Sequence, residues 1–178
     1  MRKNELSFIF KTPLGWSGVA VTEQGIGRVV LPNKEKKAVK RELRSSEFGF
    51  QSSEGYNSSN PVVLKKSVKL LQRYFSGKRV SFDLPLDMRR HTHFQQAVWR
   101  ATATIPHGET RSYAWVAKRI RNPKAVRAVG QALGANPVPV IIPCHRVISA
   151  AGTLGGFSGG PGMKKRLLEL EANARVHH

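Results

Sequence analysis

Residues 112–134 read SYAWVAKRIRNPKAVRAVGQALG. Ser112 is a ready helix cap, and Val116, Ala117 and Ile120 recur at helical spacing behind it. Arg121-Asn122-Pro123 then breaks the helix, because proline has no amide hydrogen to give. A second helix is expected from Lys124 to about Gly134. Two helices joined by so tight a turn are a helix-turn-helix candidate; an ordinary helical hairpin is the commoner alternative. At about 100° per residue, Ala125, Val126, Val129, Ala132 and Leu133 fall on one side of the second helix. Lys124, Arg127 and Gln131 fall on the other, beside the small residues Ala128, Gly130 and Gly134. That outward face pairs positive charge with room for a nucleic-acid backbone to come close.

Upstream, Thr92 caps an expected helix carrying Phe94, Ala97, Val98 and Ala101, and Ile105-Pro106-His107-Gly108 reads as a turn. Before that the chain changes character. Leu6–Lys11, Trp16–Thr22 and Ile26–Leu31 read as three short strands separated by turns, an antiparallel meander. Lys34 to Arg44 is highly charged, with Ala38, Val39 and Leu43 as a thin apolar stripe, so a short exposed helix is expected. Ser45–Asn60 reads as a loop. Pro61 opens a helix whose apolar face includes Val62, Val63, Val68, Leu70, Leu71, Tyr74 and Phe75, closed by Gly77. Val80–Leu84 is expected to be a last strand. A boundary near Met88 gives two domains, 1–88 and 89–178: a small α/β cap and a mostly helical half.

Thirty basic residues stand against 11 acidic ones, a net charge of +19. Nine Lys/Arg and one acid lie between 89 and 127. Such an excess predicts attraction to a polyanion, most simply nucleic acid. Hydrophobic residues make up 40% of the chain, a globular composition. No apolar run approaches the ~20 residues that cross a bilayer, so no membrane association is expected. Nothing marks the chain for export, and an unpaired cysteine suits a reducing interior. The closing His177-His178 is given no weight.

Cys144, in Pro143-Cys144-His145-Arg146-Val147, is the only cysteine. Two readings stand side by side. One is a small buried hydrophobe. The other is a reactive thiolate, with His145 as base and Arg146 adding positive potential. Neighbouring side chains diverge on a regular helix or strand, so a relay between Cys144 and His145 requires an irregular backbone or a bridging water. The glycine-rich stretch Ala150–Gly162 has no dinucleotide fingerprint or P-loop lysine and reads as a loop beside Cys144. Met163-Lys164-Lys165 opens a final helix with Met163, Leu167, Leu170 and Ala174 as its buried stripe. Glu171 falls on the shoulder of that stripe, from which it can reach inward to a histidine, though a helix glutamate is more commonly just solvated.

Together with Asn136-Pro137-Val138-Pro139, the Cys144 pentapeptide resembles the active-site signature of the O6-alkylguanine-DNA alkyltransferases. The resemblance extends through Phe94–Trp99, Ile105–Thr110, Ser112-Tyr113 and Asn122–Gly130, and covers nearly all of residues 93–172. It implies an α+β protein: a ribonuclease-H-like N-terminal domain and a winged helix-turn-helix C-terminal domain. It also implies a reaction, in which a damaged guanine is flipped out of the duplex and Cys144 attacks the alkyl carbon on O6. O4 of thymine is a second candidate substrate.

By that resemblance, Glu171 orients His145, which deprotonates Cys144 through a water, and Tyr113 gives a proton to the departing guanine. Asn136 holds the turn around the cysteine. Val147, Phe157 and Ser158 contact the base, and Phe157 stands where some relatives carry tyrosine. Arg127 fills the space left by the flipped base, with Lys124, Ala125, Ala128, Gly130 and Gln131 on the DNA face. The thioether product has no leaving group, so each molecule acts once. The implied partner is duplex DNA carrying O6-alkylguanine, met by a monomer in the cytoplasm, at the nucleoid, or in the nucleus of a eukaryote. No cofactor and no metal are expected, since the cysteines of the zinc site found in some relatives are missing. A lesion binder without transfer, a transcription regulator and a cysteine hydrolase are the rival readings; one methyl per protein on Cys144 separates them.

Overall fold

The computed structural model describes residues 6–44 and 60–174. It divides into two compact units, Met1–Arg89 and Arg90–His178. The loop expected over Ser45–Asn60 falls outside the described residues except for Asn60, as do His177 and His178.

The first unit is built on the expected meander: β1 (Leu6–Thr12), β2 (Gly15–Thr22) and β3 (Gly25–Asn33), antiparallel in the order β1-β2-β3. Its two hairpins turn over Pro13-Leu14 and Glu23-Gln24, between the closing pairs Thr12↔Gly15 and Thr22↔Gly25. Gly25 has φ +139, and any Cβ there would run into the Pro85 carbonyl, so only glycine fits. Helix α1 (Lys36–Arg44) sinks Val39 and Leu43 against Ala20 and Val30, and its remaining length is solvated charge. Val19 and Val21 point to the opposite face of the sheet and are fully buried. Helix α2 (Pro61–Phe75) packs against that sheet with Leu71, Tyr74 and Phe75 fully buried. Asn60 caps it by accepting from the Val63 amide at 3.2 Å.

Two expectations fail here. Val62 is 73% exposed rather than part of the apolar face. Val80–Leu84 forms no strand: its side chains alternate half-buried with exposed, but among the described residues the bridge to β3 comes two residues later, between Ile26 and Leu86. Pro85 has no amide hydrogen with which to extend that ladder. A period of two does not report a partner strand.

In the second unit, α3 (His93–Ala103) begins in a full capping box between Thr92 and Gln95. The two-residue β4 (Arg111–Ser112) leads into α4 (Tyr113–Arg119), which Ser112 caps through the Trp115 amide. Helix α5 (Val126–Gly134) follows, and Trp99 Nε1 donates to the Ala132 carbonyl at 2.8 Å, tying α3 to α5. The second helix thus starts two residues later than expected. Arg121 sits at φ 58 and the Ala125 amide donates to the Asn122 carbonyl, so a turn consumes Pro123-Lys124-Ala125. Val126 is 39% exposed, so it leaves the inward set. A 3₁₀ turn at Cys144–Arg146 runs into β5 (Val147–Ile148), which pairs parallel with β4. Helix α6 (Gly160–Asn173) closes the unit.

The inner face of α6 corrects the expected stripe. Lys164, Leu167 and Glu171 are fully buried, while Met163, Leu170 and Ala174 are half-buried. Residues 164, 167 and 171 follow the same helical spacing as an apolar face. Two of them are charged and occupy it because partners inside the fold satisfy their charge.

Candidate active site

The segment before Cys144 is wound tightly. Asn136 Oδ1 accepts from the Val138 amide at 3.0 Å, and its Nδ2 donates both to the Ile142 carbonyl at 2.9 Å and to Cys144 Sγ at 3.1 Å. Val140 is held at φ 76, an outlier for a β-branched residue, and is almost fully buried. Pro143, at φ −81 and ψ 61, makes an inverse γ-turn in which the Cys144 amide reaches the Ile142 carbonyl at 2.8 Å. Cys144 therefore starts a 3₁₀ turn, the irregular backbone that the adjacency of Cys144 and His145 requires. Strain at Val140 is sustained by the Asn136 bonds around it.

His145 and Glu171 are both fully buried, with Nε2 and Oε1 2.7 Å apart. Arg146 closes on the same carboxylate through Nε at 2.9 Å and Nη2 at 2.9 Å, and its Nη1 donates to the Ile105 carbonyl at 2.6 Å. The Gly108 amide donates to Oε2 at 2.8 Å. The Ile105–Gly108 turn is thus built into the site through its backbone. Burial alone would raise the Glu171 carboxyl, but the hydrogen bonds from His145 and Arg146 outweigh it and hold it well below the ordinary range. An ionised carboxylate has no proton to give, so Nε2 of His145 carries the hydrogen and Nδ1 carries the lone pair. Burial lowers the imidazole, against the opposing pull of Glu171. Arg146 neutralises Glu171 and leaves the ring free of any demand to charge, which is the state a base needs.

This arrangement revises two sequence-based expectations. Arg146 does not lend its charge to the thiol, because its guanidinium is committed to Glu171 and Ile105. And Cys144 rests as a thiol: it is 3% exposed, and burial pushes its pKa up to about 11, against the pull of Asn136 and Lys164. The cation that the sulfur feels is Lys164. Its Nζ donates to the Val147 carbonyl at 2.6 Å and lies 5.8 Å from the centre of the Tyr113 ring. Burial lowers its pKa and the sulfur opposes that shift. Lys164 was legible in principle, two helical turns before Glu171 on the same face.

Tyr113, at the start of α4, has its ring beside Gly130 of α5 and its hydroxyl beside Gly155. A Cβ at Gly155 would lie 2.7 Å from that oxygen, so glycine lets the loop close over the phenol. The hydroxyl donates to the Gly156 carbonyl at a long 3.4 Å. Burial raises the phenol further above neutrality, and the Cys144 thiolate raises it again where it forms. Val147 is fully buried, and its carbonyl keeps a second lone pair beyond the one Lys164 uses. Phe157 is half-buried and Ser158 exposed, in the turn leading into α6. In the turn before α5, Lys124 is exposed and Ala125 half-buried; on α5, Arg127 and Gln131 are exposed, and Ala128 and Gly130 half-buried. Among the described residues, no group of three or more His, Cys, Asp or Glu is placed to hold a metal ion.

Two family models match the chain in succession: the ribonuclease-like domain of 6-O-methylguanine DNA methyltransferase over residues 7–88, and its DNA-binding domain over 93–173. A methylated-DNA–protein-cysteine methyltransferase of Mycobacterium tuberculosis is 48% identical over 129 residues, 72% of this chain and 78% of that protein. One of Methanosarcina acetivorans is 39% identical over 165 residues, 93% and 97% of the two chains. The crystal structure of M. tuberculosis O6-methylguanine methyltransferase superposes with a TM-score of 0.74 at 36% identity, covering 96% of this chain and 94% of that one. M. tuberculosis OGT in complex with DNA gives 0.74 at 38% identity, covering 94% and 93%. This chain belongs to the 6-O-methylguanine DNA methyltransferase family.

As a member of that family, it carries the α+β architecture that the sequence implies, with a ribonuclease-like unit followed by a DNA-binding one. In the methyltransferase fold Asn136 bonds the buried Cys144 sulfur, the adjacent His145 bonds Glu171, and the Tyr113 phenol feels the charge of Cys144. The fold sets the outward face of α5 apart from them, joined through Tyr113 packed on Gly130. No described helix of the methyltransferase is long and apolar enough to cross a membrane.

Proposed function

We propose that this protein repairs DNA by moving an alkyl group from O6 of guanine to Cys144 Sγ, once per molecule. The observation that carries the reading is the buried chain of bonds from Asn136 to the sulfur and from His145 to a Glu171 already neutralised by Arg146. At pH 7 a thiol with a pKa about 11 is ionised in only about one molecule in ten thousand. Proton removal is therefore a step of the reaction. Nδ1 of neutral His145 takes the thiol proton through a water, and Asn136 and Lys164 hold the sulfur's charge as it forms. The thiolate displaces guanine at the alkyl carbon, forming the S–C bond as the C–O bond breaks. Tyr113, protonated at neutral pH, gives its proton to the purine as it leaves. The product is a thioether with no leaving group, so turnover ends there.

Duplex DNA carrying O6-alkylguanine is the partner, with O4-alkylthymine a second substrate. Lys124 and Gln131 meet the backbone, Ala125, Ala128 and Gly130 let it approach, and Arg127 occupies the space of the flipped base. Val147, Phe157 and Ser158 line the base site. One pocket suffices, so the protein works as a monomer at the chromosome, in the cytoplasm or, in a eukaryote, in the nucleus. Incubation with duplex containing O6-methylguanine tests the reading: one methyl per protein, on the Cys144 peptide, and none on Cys144→Ala, which still binds. Multiple turnovers would overturn it in favour of a hydrolase, and no transfer in favour of a binder or regulator. Arg127→Ala slows repair in duplex more than reaction with a free base analogue; equal loss on both removes the wedge role.

A further inference from the structure

The edge of the first unit carries a groove that alkyl transfer does not use. β1 ends the sheet order β1-β2-β3, and among the described residues its outer side has no strand partner. Helix α2 runs beside it, and the two enclose a cavity of about 600 Å³. Leu6, Ser7 and Phe8 all line that cavity. Leu6 and Phe8 pair with Val21 and Val19 and so share one face of the sheet, and the cavity lies between that face of the outermost strand and α2. The floor is apolar: Leu6, Phe8, Pro61, Leu64 and Val68. Phe8 is 51% exposed, a large ring left in water by its own fold. Lys65 and Lys69, one helical turn apart, stand at the rim, and no acidic residue lines it. Neither β1 nor α2 contains an Asp or Glu.

Lysines alone say little on so basic a protein. An open strand edge, an apolar slot between strand and helix, and lining charges that are all cationic together define a known physical mode of recognition. An extended segment adds to the sheet, its backbone bonding the edge while alternate side chains fill the slot. We propose that this groove binds an extended acidic segment of a partner protein as a fourth strand beside β1. Apolar side chains of that segment cover Phe8, Leu64 and Val68. Carboxylates on its solvent side meet Lys65 and Lys69, whose long stems reach over the slot. Nucleic acid is also drawn to lysines, but aliphatic side chains supply most of this floor and only one ring is present for base stacking.

Fluorescence anisotropy with a synthetic peptide of alternating Asp and Leu tests this on the full chain. The peptide is expected to bind saturably. Affinity drops by roughly tenfold or more in the Lys65→Glu/Lys69→Glu variant, with Ser in place of Leu, or with alternate backbone amides of the peptide methylated. The Lys36→Glu/Lys40→Glu variant on exposed α1 keeps full affinity, and every variant keeps alkyl transfer. No saturable binding, equal loss in both charge reversals, or equal binding of the methylated peptide overturns the proposal. So does binding of oligothymidylate with the same dependence on Lys65 and Lys69, which would assign the groove to nucleic acid. Self-association abolished by Lys65→Glu/Lys69→Glu would assign it to a second copy of this chain, and overturns it equally.

Discussion

Asp87 in the first unit and Glu171 in the second are both buried carboxylates held by an arginine, yet their arginines sit in different media. Asp87 takes Nε and Nη2 of Arg89 at 2.9 and 2.8 Å and the Thr22 hydroxyl at 2.8 Å, while the Arg89 side chain is 61% exposed. Its amide and the Pro85 carbonyl bracket Ile26 at the start of β3. That cluster pins a segment of chain. Glu171 takes Arg146 and His145 where the carboxylate and the imidazole have no exposure at all. Water can repair a broken Asp87–Arg89 pair but cannot reach the other. The same pairing is thus a staple at one place and a tuned base at the other, and the difference lies in the solvent access of the partners.

Breaking the inner pair has the largest expected effect. Glu171→Gln leaves Arg146 with a buried, uncompensated charge beside the base and destabilises the protein by about 3–5 kcal/mol, read by chemical denaturation. Transfer from O6-methylguanine slows by at least about a hundredfold, because the neutral amide no longer supports the imidazole as it takes a proton. A variant as stable as the parent would mean that Glu171 is not a charged partner in the fold.

Lys164→Met comes next and separates stability from chemistry. The stem is kept and the cation that the sulfur feels is removed. The thiol pKa rises further above its present value of about 11, followed by thiolate absorbance in an alkaline titration. Transfer slows by about ten- to a hundredfold, the size of a one- to two-unit shift. Overall stability changes little, since a buried lysine is itself poorly solvated. An unchanged titration with unchanged transfer removes Lys164 from the chemistry.

Asp87→Asn acts on the outer pair and shows itself through pH. The hydrogen bonds of Arg89, against the opposing effect of burial, lower the Asp87 carboxyl from 3.8 to about 2. A depressed folded pKa means stability that is fully present above pH 4 and lost as pH falls through about 2. Denaturation of the full chain at successive pH values should show that loss in the parent and a flatter profile in the variant. At neutral pH the variant is hurt far less than Glu171→Gln, because the exposed Arg89 re-solvates.

The parts of this molecule that were legible in sequence are those whose physics is local. The meander, the Thr92 and Ser112 caps and the break at Asn122-Pro123 depend on neighbouring residues, and each stands within about two positions of its expected place. Val80–Leu84 failed because a strand needs a partner, and alternation cannot report one. At the candidate site, motif and helix face singled out Cys144, His145 and Glu171. The true task of Arg146 and the burial of Lys164 were not legible, because both depend on which carbonyl or carboxylate the fold brings close: Ile105 and Glu171 for one, Val147 for the other. Helical spacing already placed 164, 167 and 171 on one face; a rule that sends charge outward hid them.

The smallest expected effect makes that last point testable one residue further on. Lys165 follows Lys164 on α6 and has a carboxylate of its own, Glu169 at 3.8 Å. Their side chains are 69% and 58% exposed, so water screens the pair and salt weakens it further. Lys165→Ala is expected to change stability by no more than about 0.5 kcal/mol, with transfer and the thiol titration untouched. Composition cannot distinguish two adjacent lysines, and both head groups carry the same charge. If both substitutions slowed transfer alike, the positive field of the helix as a whole would be acting on Cys144. If only Lys164→Met does, the effect belongs to the single ammonium that the helix turns inward, held by the Val147 carbonyl and sealed from solvent, where its charge reaches the sulfur unscreened.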